Sequence, residues 1–88
     1  MAVKCDVEDM RRLVVEIDLD DGLTSDDLDL VLEFFSEPER FTEQVVQVDV
    51  YGPGTTNRDL LEQMEARIDK RVRELGKGLA FHVYLSPP

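Results

Sequence analysis

The sequence predicts a two-layer α/β sandwich with the element order ββαβαβ, in which two helices lie on one face of a mixed four-stranded sheet. Four segments alternate apolar and polar residues at the two-residue period of a strand, and two others repeat apolar residues at helical spacing. Each predicted helix joins consecutive strands, so the last three strands are expected to be parallel through right-handed crossovers. Residues 1–88 are expected to form a single domain with one modest core.

The first two strands are predicted near the N-terminus. AVKCDVE places Val3, Cys5 and Val7 on one side, and LVVEIDL alternates in the same way. The short segment around Asp9 to Arg11 predicts a hairpin, which would make the first strand antiparallel to the second. The only cysteine is Cys5, which excludes an internal disulfide, and the phase of its strand predicts that it lies in the core.

The first helix is predicted to begin after Thr24. Thr24 is a favourable N-cap residue, and Asp27 three positions later completes the pattern of a capping box. Pro38 marks the end of the helix. The apolar residues at helical spacing are Leu28, Val31, Leu32 and Phe35.

The second half of the chain predicts strand, helix and strand. EQVVQVDVY, residues 43–51, and LAFHVYL, residues 79–85, are the strands, and Gly76 ends the helix between them. An antiparallel return at SEPERFTEQ would instead give a ferredoxin-like α+β fold, which is the alternative. The apolar stripe of the second helix is Leu61, Met64, Ile68, Val72 and Leu75.

The formal net charge of −10 is the dominant global property of the chain. Residues 1–52 hold fifteen Asp and Glu against four Lys and Arg, a net charge of −11, whereas residues 53–88 hold five against six, a net charge of +1. Non-specific binding to nucleic acid or to anionic membranes needs a positive surface, so neither is expected as a direct partner.

No targeting or cofactor signal is found. No apolar run approaches the roughly 18 residues of a membrane span, and the N-terminus lacks the basic and apolar regions of a signal peptide, which predicts a cytoplasmic location. The phosphate-binding motifs GxxxxGK[ST] and GxGxxG are missing, and no cofactor is expected.

The segment EIDLDDGLTSDDLDL, residues 16–30, contains seven carboxylates. A calcium loop beginning at Asp18 would place Asp20, Asp26 and Asp29 at ligand positions 3, 9 and 12. Gly22 would then occupy position 5, where a ligand is required, and a strand, not a helix, is predicted before the loop. A metal site is therefore not expected.

Local structure accounts for most of these carboxylates. Asp26 and Asp27 lie in the first turn of a helix, where the helix dipole favours negative charge. Asp20 and Asp21 fit a turn, and only Asp29 lacks a local role. Like charges at this density repel each other, so the total still favours either a binding role or an adaptation for solubility.

The loop YGPGTTN lies between a strand and a helix N-terminus, a position where backbone N–H groups can bind phosphate, with Arg58 nearby. Gly52, Pro53 and Gly54 are equally typical of a tight connection from strand to helix, and this interpretation is favoured over a phosphate site.

The only histidine is His82, which excludes a two-histidine metal site built from this chain. Its phase places it with Tyr84 on the polar face of the sheet, where Asp18 and Asp49 are expected as neighbours. A histidine in this setting is expected to be a contact residue, not a catalyst.

The leading hypothesis is a non-enzymatic binding protein of the inhibitor, immunity or counter-defence type. Its acidic surface would cover a basic nucleic-acid-binding or substrate-binding surface on a larger protein. The predicted partner-binding residues are Asp18, Asp20, Asp21, Asp26, Asp27 and Asp29, with a second patch formed by Asp49, His82 and Tyr84.

The alternative is a self-associating structural or regulatory domain whose acidity maintains solubility. Eleven Asp against three Lys is the balance that solubility at high salt favours. A homo-oligomer would form by docking of the basic second helix onto the acidic half of another copy. The basic residues around that helix are Arg67, Lys70, Arg71, Arg73 and Lys77.

Overall fold

The computed structural model describes residues 2–9, 12–20, 22–41 and 44–87, and it confirms the predicted ββαβαβ order. A short 3-10 turn at Pro38–Arg40 follows the first helix. The hairpin loop predicted around Asp9 to Arg11 lies largely outside the described residues. The elements are β1 (Ala2–Asp9), β2 (Arg12–Asp18), α1 (Ser25–Phe34), β3 (Val45–Gly52), α2 (Arg58–Glu74) and β4 (Gly78–Leu85).

The four strands lie in the order β1-β2-β3-β4. β1 is antiparallel to β2, whereas β2, β3 and β4 are parallel, as predicted. The ferredoxin-like alternative, which required an antiparallel return after α1, is wrong. Both helical connections advance by one strand in the same direction, so crossovers of one hand place both helices on one face of the sheet.

The core lies between this helix layer and the sheet. In β2 and β3 the alternate residues that point towards the helices are buried, and they meet the apolar stripes of α1 and α2. Phe35 and Phe41 stack at the end of α1, with 5.4 Å between their ring centroids. The completely buried residues include Val15, Ile17, Val31, Val46, Val48, Val50, Met64, Ile68 and Val72.

The capping box predicted for α1 is present. The Thr24 hydroxyl oxygen accepts a hydrogen bond of 3.2 Å from the Asp27 backbone N–H, and the Asp27 carboxylate accepts one of 3.2 Å from the Thr24 backbone N–H. Asp27 therefore has a structural role in the first turn. Such a cap stabilises a helix by about 1 kcal/mol.

The C-terminal end of α1 is stabilised from α2. The last turn of α1 has no basic residue of its own, and the Arg71 guanidinium donates hydrogen bonds to the carbonyl oxygens of Phe35, at 3.0 Å, and Ser36, at 3.4 Å. It also lies 3.6 Å from the Glu74 carboxylate. One member of the predicted basic docking run thus holds the two helices together.

Cys5 is exposed, so the prediction that it lies in the core is wrong. Its side of the strand was predicted correctly, because it pairs with Val15, which points towards the helices. However, α1 joins β2 to β3 and α2 joins β3 to β4, which centres the helix layer on the last three strands. β1 lies at the margin of that layer, where alternation alone does not produce burial.

Replacing Arg71 by Met should lower the free energy of unfolding by about 1–2 kcal/mol, because the apolar chain remains but the charged hydrogen bonds to the α1 carbonyls are lost. Chemical denaturation monitored by circular dichroism measures the change.

Arg73→Met is the matched control. The Arg73 side chain is 77% exposed, and its one ion pair among the described residues is with Asp69 of its own helix, at 3.0 Å, so its loss should change stability by less than about 0.5 kcal/mol. Equal effects of the two substitutions would contradict the proposed role of Arg71.

Candidate protein-binding face

No helix of the described residues lies against the side of the sheet that faces away from α1 and α2, and we call this side the open face. Strand register arranges its side chains in rows that cross the sheet. The described side chains on the open face are Lys4 of β1; Arg12, Val14, Glu16 and Asp18 of β2; Val45, Gln47, Asp49 and Tyr51 of β3; and Ala80, His82 and Tyr84 of β4.

Two tyrosines dominate one row of the open face. Tyr51 and Tyr84 lie opposite each other on β3 and β4, and their rings stack with centroids 5.1 Å apart and an interplanar angle of 16°. They remain 41% and 51% exposed. Asp18 lies opposite Tyr51 on the other side, and the His82 ring is 6.4 Å from that of Tyr84. The row is therefore an exposed aromatic surface with a carboxylate beside it.

The neighbouring row consists of Lys4, Glu16, Asp49 and His82, one from each strand. Two carboxylates thus occupy adjacent central strands, with one cationic residue at the β1 end and the histidine at the β4 end. His82 lies directly opposite Asp49, as predicted. Asp18 is not its neighbour, because β3 separates them.

Asp49 is only 7% exposed, although its strand phase predicted a solvated residue. It lies on a central strand and has neighbours on both sides. The Gln47 amide donates hydrogen bonds of 3.0 and 3.3 Å to its two carboxylate oxygens, and Arg12 donates one of 2.9 Å to the Gln47 carbonyl oxygen. This chain of hydrogen bonds compensates the desolvation of the carboxylate and fixes its position.

The pKa of the Tyr51 phenol is raised above its ordinary value. Desolvation in the crowded row is the largest cause, followed by the negative charges of Asp49 and Glu16 and by Tyr84. All of these disfavour the phenolate. Tyr51 therefore presents a neutral hydroxyl, able to donate or accept a hydrogen bond, across the physiological pH range.

The predicted binding residues do not form one surface. Asp18, Asp49, His82 and Tyr84 lie together on the open face, and Asp20 is exposed close by, in a shallow depression that also involves Tyr51 and Asp18. Asp21 lies outside the described residues.

The other three predicted residues, Asp26, Asp27 and Asp29, belong to α1. Asp26 and Asp29 are exposed on the side of the helix that faces away from the sheet, together with Leu30. The acidic segment is thus divided between two layers of the molecule. One flat partner surface cannot bury both groups.

Two contributors to the open face were missing from the predicted set. Tyr51 has the same phase as Asp49 in EQVVQVDVY, so alternation alone would have placed it on this face. Its stacking on Tyr84 depends on the register between β3 and β4, which the sequence does not specify. Glu16 was predicted on the polar face, but its position beside Asp49 likewise depends on strand order.

The YGPGTTN loop is held by its own residues. The Thr56 hydroxyl donates a 2.6 Å hydrogen bond to the Pro53 carbonyl oxygen, and the Asn57 side chain caps α2 by accepting one of 3.2 Å from the Leu60 backbone N–H. A Cβ atom at Gly52 would lie 3.0 Å from the Thr56 hydroxyl and 3.2 Å from the Leu19 Cβ atom. Close packing thus explains this glycine without a phosphate.

Comparison of the chain with protein-family models, curated proteins and solved structures finds no match. Within the described residues, no three His, Cys, Asp or Glu side chains come together as a metal site would require. No described helix is long and apolar enough to cross a membrane. The geometry and charge of the open face therefore indicate most about function.

The raised pKa of Tyr51 can be measured directly, because the chain has only two tyrosines. In a Tyr84→Phe variant, ultraviolet titration of tyrosinate should give a pKa above that of free tyrosine. Adding Asp49→Asn should lower this pKa, because one of the charges that disfavour the phenolate is removed. An ordinary pKa in the first variant would show that the row is less crowded than described.

Proposed function

We propose that the chain is a small non-enzymatic binding protein that covers a basic, nucleic-acid-binding or substrate-binding surface of a larger cytoplasmic protein. Inhibitors, immunity proteins and counter-defence factors act in this way. The observation that carries the proposal is the exposed Tyr51–Tyr84 stack beside the carboxylates of the open face.

The tyrosines and the carboxylates have different roles in binding: the tyrosines supply binding energy, and the carboxylates supply charge complementarity. Tyrosine is enriched among residues that dominate binding energy, because a rigid amphipathic ring buries a large area with little loss of conformational freedom. Tyr51 and Tyr84 already restrict each other by stacking, which reduces the entropy lost on binding. They are the proposed anchors.

The carboxylates supply charge complementarity. The carboxylates of Glu16, Asp18 and Asp20 lie on the β2 side of the two tyrosines. Lys and Arg residues of a partner would contact these carboxylates. The net charge of −10 extends this attraction beyond contact distance and increases the rate of association with a basic protein. Asp26 and Asp29 on α1 contribute to this long-range field but lie outside the proposed contact surface.

Binding is favoured over catalysis by the surroundings of His82. Its nearest open-face neighbours are Asp49, across the sheet, and Tyr84, along β4. The described side chains of the open face include no serine, threonine or cysteine that a histidine base would activate. His82 is instead proposed to be a contact residue next to the aromatic anchors.

The proposal is tested by affinity capture: the chain is immobilised, and the proteins that bind it are recovered from a lysate of its source organism. We expect a basic protein to be recovered, and we expect heparin or DNA to release it, because both would compete for the covered surface. In a purified complex, Tyr51→Ala with Tyr84→Ala should weaken binding by roughly 30-fold or more, equivalent to about 2 kcal/mol.

A double charge reversal on the open face, Asp18→Lys with Asp20→Lys, is the test variant. Its matched control is the double charge reversal on α1, Asp26→Lys with Asp29→Lys. Both pairs change the net charge by the same amount, but only the test variant alters the open face. The control should slow association without a large change in the dissociation rate. If the α1 pair weakens binding more than the open-face pair does, or if the tyrosine substitutions have no effect, the proposed surface is wrong.

A further inference from the structure

The two edges of the sheet are protected to different degrees. β1 contains Lys4, Asp6, Glu8 and Asp9, and its register shifts between Val7 and Asp9. Charged residues and irregular register are the features that prevent another strand from adding to an edge. β4 spans eight residues, GLAFHVYL, without Asp, Glu, Lys, Arg or Pro. Its outer edge lacks this protection.

The outward backbone groups of β4 belong to its apolar residues. The Gly78 N–H donates to the Gln44 carbonyl oxygen at 3.0 Å, and the Ser86 N–H donates to that of Gly52 at 2.9 Å. In a parallel ladder only alternate residues bond to the neighbouring strand, so the even-numbered residues of β4 bond to β3. The N–H and C=O groups that point outward are therefore those of the odd-numbered residues Leu79, Phe81, Val83 and Leu85.

The side chains of these residues are also incompletely covered. Leu79 and Phe81 are half-buried and Val83 is 40% exposed, because α2 covers the β3 side of the strand. A depression of about 430 Å³ runs between β4 and α2, lined by apolar residues of the strand and by carboxylates of the helix that include Glu62 and Glu65. An additional strand beside β4 would extend the sheet and close this groove.

We propose that the outer edge of β4 pairs in antiparallel orientation with β4 of a second copy, about a two-fold axis at Phe81. In this register Leu79 lies opposite the partner's Val83, and Phe81 lies opposite the partner's Phe81. The outward backbone groups then face each other and form about six hydrogen bonds, two for each directly opposite pair.

The sequence of β4 is self-complementary in this register. On the open face His82 lies opposite the partner's Ala80, and Tyr84 lies opposite the partner's Gly78. Each bulky side chain thus faces one of the two smallest residues of the strand. On the helix side, the directly opposite pairs within the strand are formed by Leu79, Phe81 and Val83, while Leu85 lies opposite the partner's Lys77. This match in size favours a second copy over an unrelated strand.

The distribution of charge also favours dimer formation at the β4 edge over other parts of the surface. Residues 53–88, which include α2 and β4, carry a net charge of +1, whereas the remainder of the chain carries −11. β4 is consequently the side on which two copies repel each other least. Glu62 and Glu65 of the two α2 helices would still face each other across the groove, so added salt should strengthen the dimer by screening them.

Pairing would create an eight-stranded sheet with four helices on one face and two adjoining open faces on the other. This inference does not depend on the proposed function, because the pairing is formed by the outward backbone groups of β4; His82 and Tyr84 lie where the seam adjoins the open face. Self-association would be observed without any other protein, and capture of a basic partner would not depend on it.

Sedimentation velocity over a range of protein concentrations, at low and high salt, tests the pairing. We expect a monomer–dimer equilibrium that shifts towards dimer as salt increases, whereas association of acidic with basic surfaces would weaken. Val83→Pro should abolish the dimer, because it removes an outward N–H and leaves the hydrogen bonds to β3 intact. Val83→Lys should do the same by placing an ammonium group in the apolar seam.

Leu30→Lys on α1 is the matched control, since it also replaces an exposed apolar residue by lysine. It should leave the dimer unchanged, and circular dichroism should show that every variant is folded. A wild-type chain that is monomeric at all concentrations and salt conditions would overturn the proposal. A dimer that persists in both Val83 variants would overturn it as well.

A cross-link reports the register. In a Cys5→Ser background, Phe81→Cys should form an intermolecular disulfide readily, because directly opposite residues of an antiparallel pair have Cα atoms about 5.5 Å apart. Leu30→Cys on the exposed side of α1 should not. Equal cross-linking at both positions would contradict the two-fold axis at Phe81.

Discussion

The structure depends on one topological constraint: both helical connections advance across the sheet in the same direction. Crossovers of one hand then place α1 and α2, the two helices of the described part of the chain, on a single face and leave the other face open. The apolar sides of β2 and β3 are buried completely, while their polar sides form a surface. Two edges of the sheet remain as well, and the chain protects only one of them with charge. The proposed binding face and the proposed dimer seam both follow from this arrangement.

Carboxylates are crowded on the open face, which is unfavourable in free energy, and local hydrogen bonds reduce this penalty. Glu16 and Asp49 lie beside each other on central strands, and burial would make the Asp49 carboxylate expensive if it lacked partners. The chain Arg12–Gln47–Asp49 supplies them. The same crowding raises the pKa of Tyr51 and keeps its hydroxyl neutral beside the carboxylates. A neutral aromatic pair with carboxylates along its β2 side matches a partner whose apolar contact area lies next to basic residues.

Local signals in the sequence predicted the fold, because each helix and strand has the residue spacing and end signals that are typical of its type. Thr24 and Asp27 form the expected cap, and the stripe from Leu61 to Val72 is buried as its spacing requires. Properties that depend on neighbouring elements were harder to predict. Cys5 has the right phase but lies beyond the helix layer, Asp49 has a polar phase but lies on a crowded central strand, and Tyr51 meets Tyr84 only through the register of β3 and β4. The seven carboxylates of residues 16–30 are close in sequence, which predicted one cluster. Of the described ones, Glu16 and Asp18 lie on β2 whereas Asp26, Asp27 and Asp29 lie on α1, in the other layer of the molecule.

The central claim is that binding occurs through the open face, and chemical-shift mapping of the isotopically labelled chain with its captured partner tests it most directly. The account predicts that the perturbed signals belong to Tyr51, Tyr84, His82, Asp18 and their neighbours on β2, β3 and β4, while those of Asp26, Asp29 and Leu30 on α1 remain unchanged. Perturbations confined to α1, with the tyrosine signals unaffected, would contradict it.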